Sequence, residues 1–214
     1  IAVLYFGGTG ATLDTAMTNR VIFTGETAAG NFGRSAQIIP DINGDGLDDI
    51  VIAAPGETAA NNRAGMVYLW FGRASGTWPA SPLLASNADR KFSGPMPAAA
   101  SNFRFGRRRG GFTNIGRASG SSGPSDFTIP ESFELYNSLY LFSGATVAAG
   151  AAGMTFPSSG AFQTLAAPSQ TSDSEFGFGA RAIGGQNVLG GAATDLVVTY
   201  PANNQVQIYA DRTA

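Results

Sequence analysis

Hydrophobic residues in this 214-residue chain gather into short runs rather than helical stripes. One kind of run is continuous and closed by proline: Asp49-Ile50-Val51-Ile52 before Pro55, and Asp195-Leu196-Val197-Val198 before Pro201. Short β-branched runs bounded by turn residues predict buried strands. A second kind mixes aromatic and aliphatic residues: Met66-Val67-Tyr68-Leu69-Trp70-Phe71-Gly72, Ser138-Leu139-Tyr140-Leu141-Phe142 and Gln205-Val206-Gln207-Ile208-Tyr209. Their alternation predicts strands too. The chain opens on such a strand, Val3-Leu4-Tyr5-Phe6-Gly7, and so starts part-way through a unit. Val21 to Gly25 and Lys91 to Gly94 supply a remaining strand of each sheet. The stretches Ala74 to Ala88 and Ala145 to Gly160, rich in small residues, read as surface loops. A helix over Ala148 to Met154 is opposed by Gly150 and Gly153.

These runs recur. Phe32-Gly33, Phe105-Gly106 and Phe178-Gly179 are spaced 73 residues apart in both intervals. Such a period marks a repeat protein, and about four strands per unit is the size of one propeller blade. The expectation is all-β: one propeller-like domain over 1–214, with about three repeats of four antiparallel strands. Residues 1–19 carry a strand of an incomplete preceding blade, 20–73 repeat one, 89–144 repeat two and 161–214 repeat three.

Candidate chemistry lies in the first unit. Asp41-Ile42-Asn43-Gly44-Asp45-Gly46-Leu47-Asp48-Asp49 puts oxygen side chains at alternate positions, Asp41, Asn43, Asp45 and Asp49, with the Leu47 carbonyl filling the gap. A hard cation such as calcium takes about six to eight oxygens, which alternate residues of a curled loop can offer. Gly44 and Gly46 permit the sharp turn, and Asp48 faces solvent. An EF-hand also needs a glutamate at its twelfth position, where this chain has Ile52. The alternative to an ion site is a solvated Asn-Gly/Asp-Gly turn.

Phe32-Gly33, the loop from Asp41 to Asp49 and the strand Ile50-Val51-Ile52-Ala53-Ala54-Pro55 together resemble the FG-GAP repeat of integrin α-subunit propellers and many bacterial extracellular proteins. The resemblance is strong in the first unit, clear in the third and loose in the second. It implies a propeller with calcium bound between the first two strands of some blades, and an extracellular or cell-surface adhesion or assembly module of the bacterial type. In the third unit, Asn187 to Asp195 keeps only two ligand side chains, so no calcium is expected there. In the second, Gly116 to Pro124 has no carboxylate, and Asp126 reads as a turn or cap residue. Three repeats fall short of a closed ring, which leaves further blades outside this chain, assembly of copies, or an open array whose ends invite pairing. The first residue, Ile1, is that expected of a processed chain or of part of a longer one, and no signal peptide is visible.

Composition narrows the functions. With 43% hydrophobic and 13% charged residues the chain is a packed globular protein. A formal charge of −2 gives no field for nucleic acid, and no apolar run is long enough to span a membrane as a helix. Absence of histidine and cysteine removes disulfides, imidazole bases, thiolates and the usual zinc sites. Arg104, Arg107, Arg108, Arg109 and Arg117 form the dense charge cluster, read as a solvated or ion-pairing face in preference to a site for acidic groups. Trp70, Tyr136, Tyr140 and Tyr209 read as packing residues, and Trp78 as an aromatic in a polar loop, open to sugars. Ser119 to Gly123 reads as a flexible loop. No spacing among Asp126, Glu131, Glu134, Asp173 and Glu175 selects a catalytic pair, though Asp173 and Glu175 can add oxygens to an ion at a subunit contact. The expectation is a non-enzymatic module binding a protein or glycan, or itself. The alternatives are a structural subunit of a filament or surface layer and the propeller part of a larger hydrolase.

Overall fold

A computed structural model describes residues 1–6, 20–57, 65–74, 76–95, 105–106, 112–116, 123–133, 136–166, 189, 195–200 and 204–209. Strands dominate. β1 (Ala2–Tyr5) and β2 (Arg20–Thr24) pair antiparallel, with Val3 opposite Ile22. β3 (Ser35–Ile39), β4 (Asp49–Ala54), β5 (Met66–Trp70), the two-residue β6 (Leu83–Leu84) and β7 (Arg90–Ser93) follow. Of these, β3, β4, β5 and β7 form an antiparallel meander, with Ile50 opposite both Ile38 and Trp70. A second meander repeats the plan with β8 (Thr113–Gly116), β9 (Asp126–Phe133), β10 (Tyr136–Phe142) and β12 (Gln163–Ala166). Helix α1 (Gly144–Ala149) and β11 (Met154–Pro157) lie between β10 and β12 in sequence. β13 (Leu196–Tyr200) pairs with β14 (Gln205–Tyr209).

Why β4 reads as a continuous apolar run follows from its position. Successive strand residues point to opposite faces, so a strand covered on both sides has no polar position. One face of the β4–β5 pair sends Val51, Ala53, Val67 and Leu69 into a cluster with Phe105, Phe127, Ile129 and Phe142 of the second meander. The other sends Ile50, Ile52, Tyr68 and Trp70 into a cluster with Val21, Phe23 and Leu83. Each fully buried Trp, Phe or Ile there stabilises the fold by roughly 1.5–3 kcal/mol.

The two segments read as surface loops are instead stitches between sheets. Ala74 to Ala88 contains β6, which pairs parallel with β2, Phe23 opposite Leu83, and Ser81 Oγ accepts the Ile22 N–H at 2.8 Å. Ala145 to Gly160 contains most of α1 and all of β11, which pairs parallel with β7, Phe92 opposite Phe156 with their rings stacked at 5.5 Å. Small-residue content conceals these elements because their partners lie in another sheet. The helix sits earlier than Ala148 to Met154: Ser143 caps its start and Gly150 ends it. Its end is held from the first meander, where Arg90 donates to the carbonyls of Val147 at 2.6 Å and Ala148 at 2.8 Å.

Sheets and sequence units are offset by one strand. Arg20–Thr24 pairs with β1 and β6, outside the sheet of repeat one, and Arg90–Ser93 pairs with β5 of repeat one rather than opening repeat two. Among the described residues, no helix is long and apolar enough to cross a membrane.

Candidate metal centre

The loop from Asp41 to Asp49 joins β3 to β4 as a chain of bends, not a helix. Pro40, which has no N–H to donate, marks the end of β3 after the buried Ile39. Asp41 then caps the turn. Its Oδ1 accepts the N–H groups of Gly44 at 2.6 Å and Asp45 at 3.1 Å, and its Oδ2 that of Gly46 at 2.9 Å. Gly44 and Gly46 sit at φ 84 and 86, in the left-handed region that favours glycine. Asn43 accepts from the Asp45 N–H at 3.1 Å and donates to Asp45 Oδ2 at 2.8 Å, and Asp45 Oδ1 accepts the Leu47 N–H at 2.8 Å.

Asp49 closes the loop from below and is fully buried. Its Oδ2 accepts the Ile42 N–H at 2.7 Å, and its Oδ1 accepts the Gly72 N–H at 2.8 Å, beyond the end of β5. Burial pushes its carboxyl up to about 6; the two backbone N–H groups oppose this, and the charges of Asp45 and Asp41 add to it. The five positions singled out in the sequence therefore share one loop. Asp49 lies in the core, Asp41 and Asn43 are half-buried, and Asp45 and Leu47 are exposed, as is Asp48.

The donor chemistry fits a hard cation: three carboxylates, an amide oxygen and a carbonyl on one short loop. A carboxylate oxygen that accepts one N–H keeps further lone-pair capacity. Among the described residues, no three acidic side chains converge on one point. A bound ion would need these carboxylates drawn closer together, on a loop already curled by its own hydrogen bonds.

The second meander keeps the anchor and lacks the acidic loop residues. Asp126, at the start of β9, is buried, and its Oδ1 accepts the N–H of Gly144 at 3.0 Å, as Asp49 accepts that of Gly72. The cap role read for Asp126 is thus the role Asp49 also plays. Asp195 is buried before β13 and accepts the Leu189 N–H at 2.8 Å. Sequence comparison missed the kinship of Asp126 with Asp49 because the loop before it is longer. The shared glycine after the aromatic strand, Gly72 and Gly144, was the available signal.

Among the other residues singled out, Trp70 and Tyr140 are buried, as read, and Tyr209 is half-buried. Trp78 is not an open platform: it packs on Phe23 at 6.0 Å with the Arg73 guanidinium over its ring at 5.2 Å, and Arg73 pairs with Asp89. Glu131 is buried and accepts the Tyr140 O–H at 2.7 Å. The Arg104, Arg107, Arg108, Arg109 and Arg117 cluster, Phe178-Gly179, Ser119 to Ser122, Glu134, Asp173, Glu175 and the Tyr136 side chain lie outside the described residues.

The chain is thus mostly β, with an antiparallel meander that recurs, its second strand beginning on a buried aspartate, and a glycine-turned oxygen loop in the first copy. The family model of the FG-GAP repeat matches residues 32–70. That span runs from the Phe32-Gly33 pair through the loop to the end of β5, and it is what resembles the FG-GAP repeat.

Proposed function

We propose that this chain is a calcium-stabilised, non-enzymatic binding or assembly module whose meanders are blades of a β-propeller, acting outside the cell or on its surface. Asp41, Asn43, Asp45, the Leu47 carbonyl and Asp49 would hold the ion, which supplies a charge that offsets three carboxylates and fixes the loop. One observation carries the reading: the FG-GAP match spans the oxygen loop, with Asp49 fully buried at its base. Loops at the sheet ends would then present a rigid surface to a protein or glycan. The absence of histidine and cysteine, and the engagement of Glu131 with Tyr140 inside the core, support a role without catalysis.

Calorimetric melting with calcium and with excess chelator tests the ion. A ligand at about 100 times its Kd adds about 2.7 kcal/mol, a rise of several degrees for a chain of this size. Unchanged melting in chelator, together with an Asp45→Ala variant that behaves like the parent, would overturn the proposal.

A second reading, a subunit of a filament or surface layer, is favoured by β14, where Val206 is 63% exposed and Ile208 45%. Exposed apolar residues on a strand of a small sheet invite pairing with another chain. Mass measured by light scattering over a range of concentrations tests it, and a monomer throughout would remove it.

A further inference from the structure

We propose that the oxygen loop couples the two meanders, so that cation binding between Asp41 and Asp49 tightens the docking of the second meander on the first. The inference rests on the calcium reading above. It concerns which residues of the second meander feel the ion, and the loop meets that meander at three points. Asn114 on β8 donates its Nδ2 to the carbonyl of Pro40, the residue before Asp41, at 2.9 Å. A Cβ on Gly44 would lie 3.0 Å from the Pro124 nitrogen and 3.2 Å from the Gly123 carbonyl carbon, so the turn abuts the segment leading into β9. A Cβ on Gly144 would lie 2.8 Å from the Ile42 carbonyl oxygen and would also meet the Ser125 carbonyl, so the two backbones touch there.

Ile42 itself is fully buried, in the same cluster as Phe127, Phe142 and Val147. Ligand positions 41, 43 and 45 thus alternate with positions 42 and 44, which face the second meander. On a short curled loop these two sets cannot move independently. Drawing Asp41, Asn43 and Asp45 onto an ion fixes Ile42 and Gly44 against β9 and the start of α1. Asp49 and Asp126 complete the path: Asp49 holds the Ile42 N–H, and Asp126 holds the N–H of Gly144, against which the Ile42 carbonyl rests.

Coupling of this kind is reciprocal. If the ion tightens the contact, loosening the contact from the far side must weaken the ion. The experiment uses the whole chain and calcium alone, with hydrogen exchange and titration calorimetry on the parent, Asn114→Ala and Val147→Ala. Neither variant alters a ligand. Calcium is expected to slow exchange by about tenfold in Asp126–Phe133 and Tyr136–Phe142 as well as in the loop. Each variant is expected to bind calcium about three- to tenfold more weakly. Protection confined to the first meander, with parental affinity in both variants, overturns the coupling and leaves the calcium site standing. No heat of calcium binding in the parent overturns the calcium reading, and the coupling with it.

Discussion

The first and second meanders share one skeleton and differ in what they bury. Ile52 faces Tyr68 in one, and Ile129 faces Tyr140 in the other. Asp49 holds Gly72 in one, and Asp126 holds Gly144 in the other. The first then adds Asp41, Asn43 and Asp45 around two left-handed glycines, and has small, buried Ala54 at the inner end of β4. The second lacks those oxygens, and at the position matching Ala54 buries Glu131 against Tyr140. The aspartate that begins the second strand is therefore part of the sheet's own architecture. The proposed calcium chemistry would be an addition to it, made by three residues in a loop the fold already closes.

The largest effect is expected from removing that anchor. Asp49→Ala leaves the Ile42 and Gly72 N–H groups in the core without an acceptor and opens a void, at a cost of about 3 kcal/mol or more. Asp126→Ala should cost a comparable amount in the second meander, where no ion is expected. Thermal melting in chelator reads both. If the Asp49 role were only to bind metal, the Asp49→Ala loss would vanish in chelator while the Asp126→Ala loss persisted, and the shared-skeleton comparison would break.

Much of this skeleton was legible in the sequence, because β4, β5, β10 and β13 bury enough apolar surface for alternation or continuity to mark them, and the alternation of β14 marks it although Val206 and Ile208 are exposed. β6 and β11 were not. Leu83-Leu84 and Met154–Pro157 become strands because β2 and β7 offer them a partner, and no local pattern records a partner about sixty residues away. The oxygen loop was legible as a set of residue types, since alternate oxygens with glycine between them have few other uses. Its second anchor was not: Gly72 lies beyond the end of another strand, and only the fold brings its N–H to Asp49. Trp78 was misread because a polar neighbourhood in sequence says nothing of Phe23 standing beside it.

The next effect tests what the second meander alone carries. Burial pushes the Glu131 carboxyl up to about 7 from an ordinary value of 4.5, against the opposing pull of the Tyr140 hydrogen bond. A carboxyl with a raised folded pKa binds its proton more tightly in the native state, so its contribution is fully present below about pH 4.5 and is lost as pH rises to about 7. Across that window the loss is on the order of 3 kcal/mol. Glu131→Gln, which cannot ionise, should flatten this part of the stability profile. Denaturant unfolding at pH 5 and pH 7.5 measures it, and an unchanged slope in Glu131→Gln would assign the pH dependence elsewhere.

The smallest effects discriminate most sharply between an ion held by ligands and a loop that is merely acidic. Asp45 and Asp48 are both exposed carboxylates on the same loop, three residues apart, and only Asp45 stands in the alternating set. Replacing either by alanine removes the same charge from nearly the same place. A diffuse negative field attracting calcium loosely would weaken about equally in both variants, since fields vary slowly over such a distance. Coordination is local and would not. In chelator Asp48→Ala should melt within about 0.5 kcal/mol of the parent, and Asp45→Ala should lose about 1 kcal/mol with its hydrogen bonds to Leu47 and Asn43. In calcium, Asp48→Ala should keep the full gain in melting temperature and Asp45→Ala should lose most of it. Equal losses in the two variants would show that the loop gathers cations without gripping one, and would reduce the difference between the two meanders to one of charge.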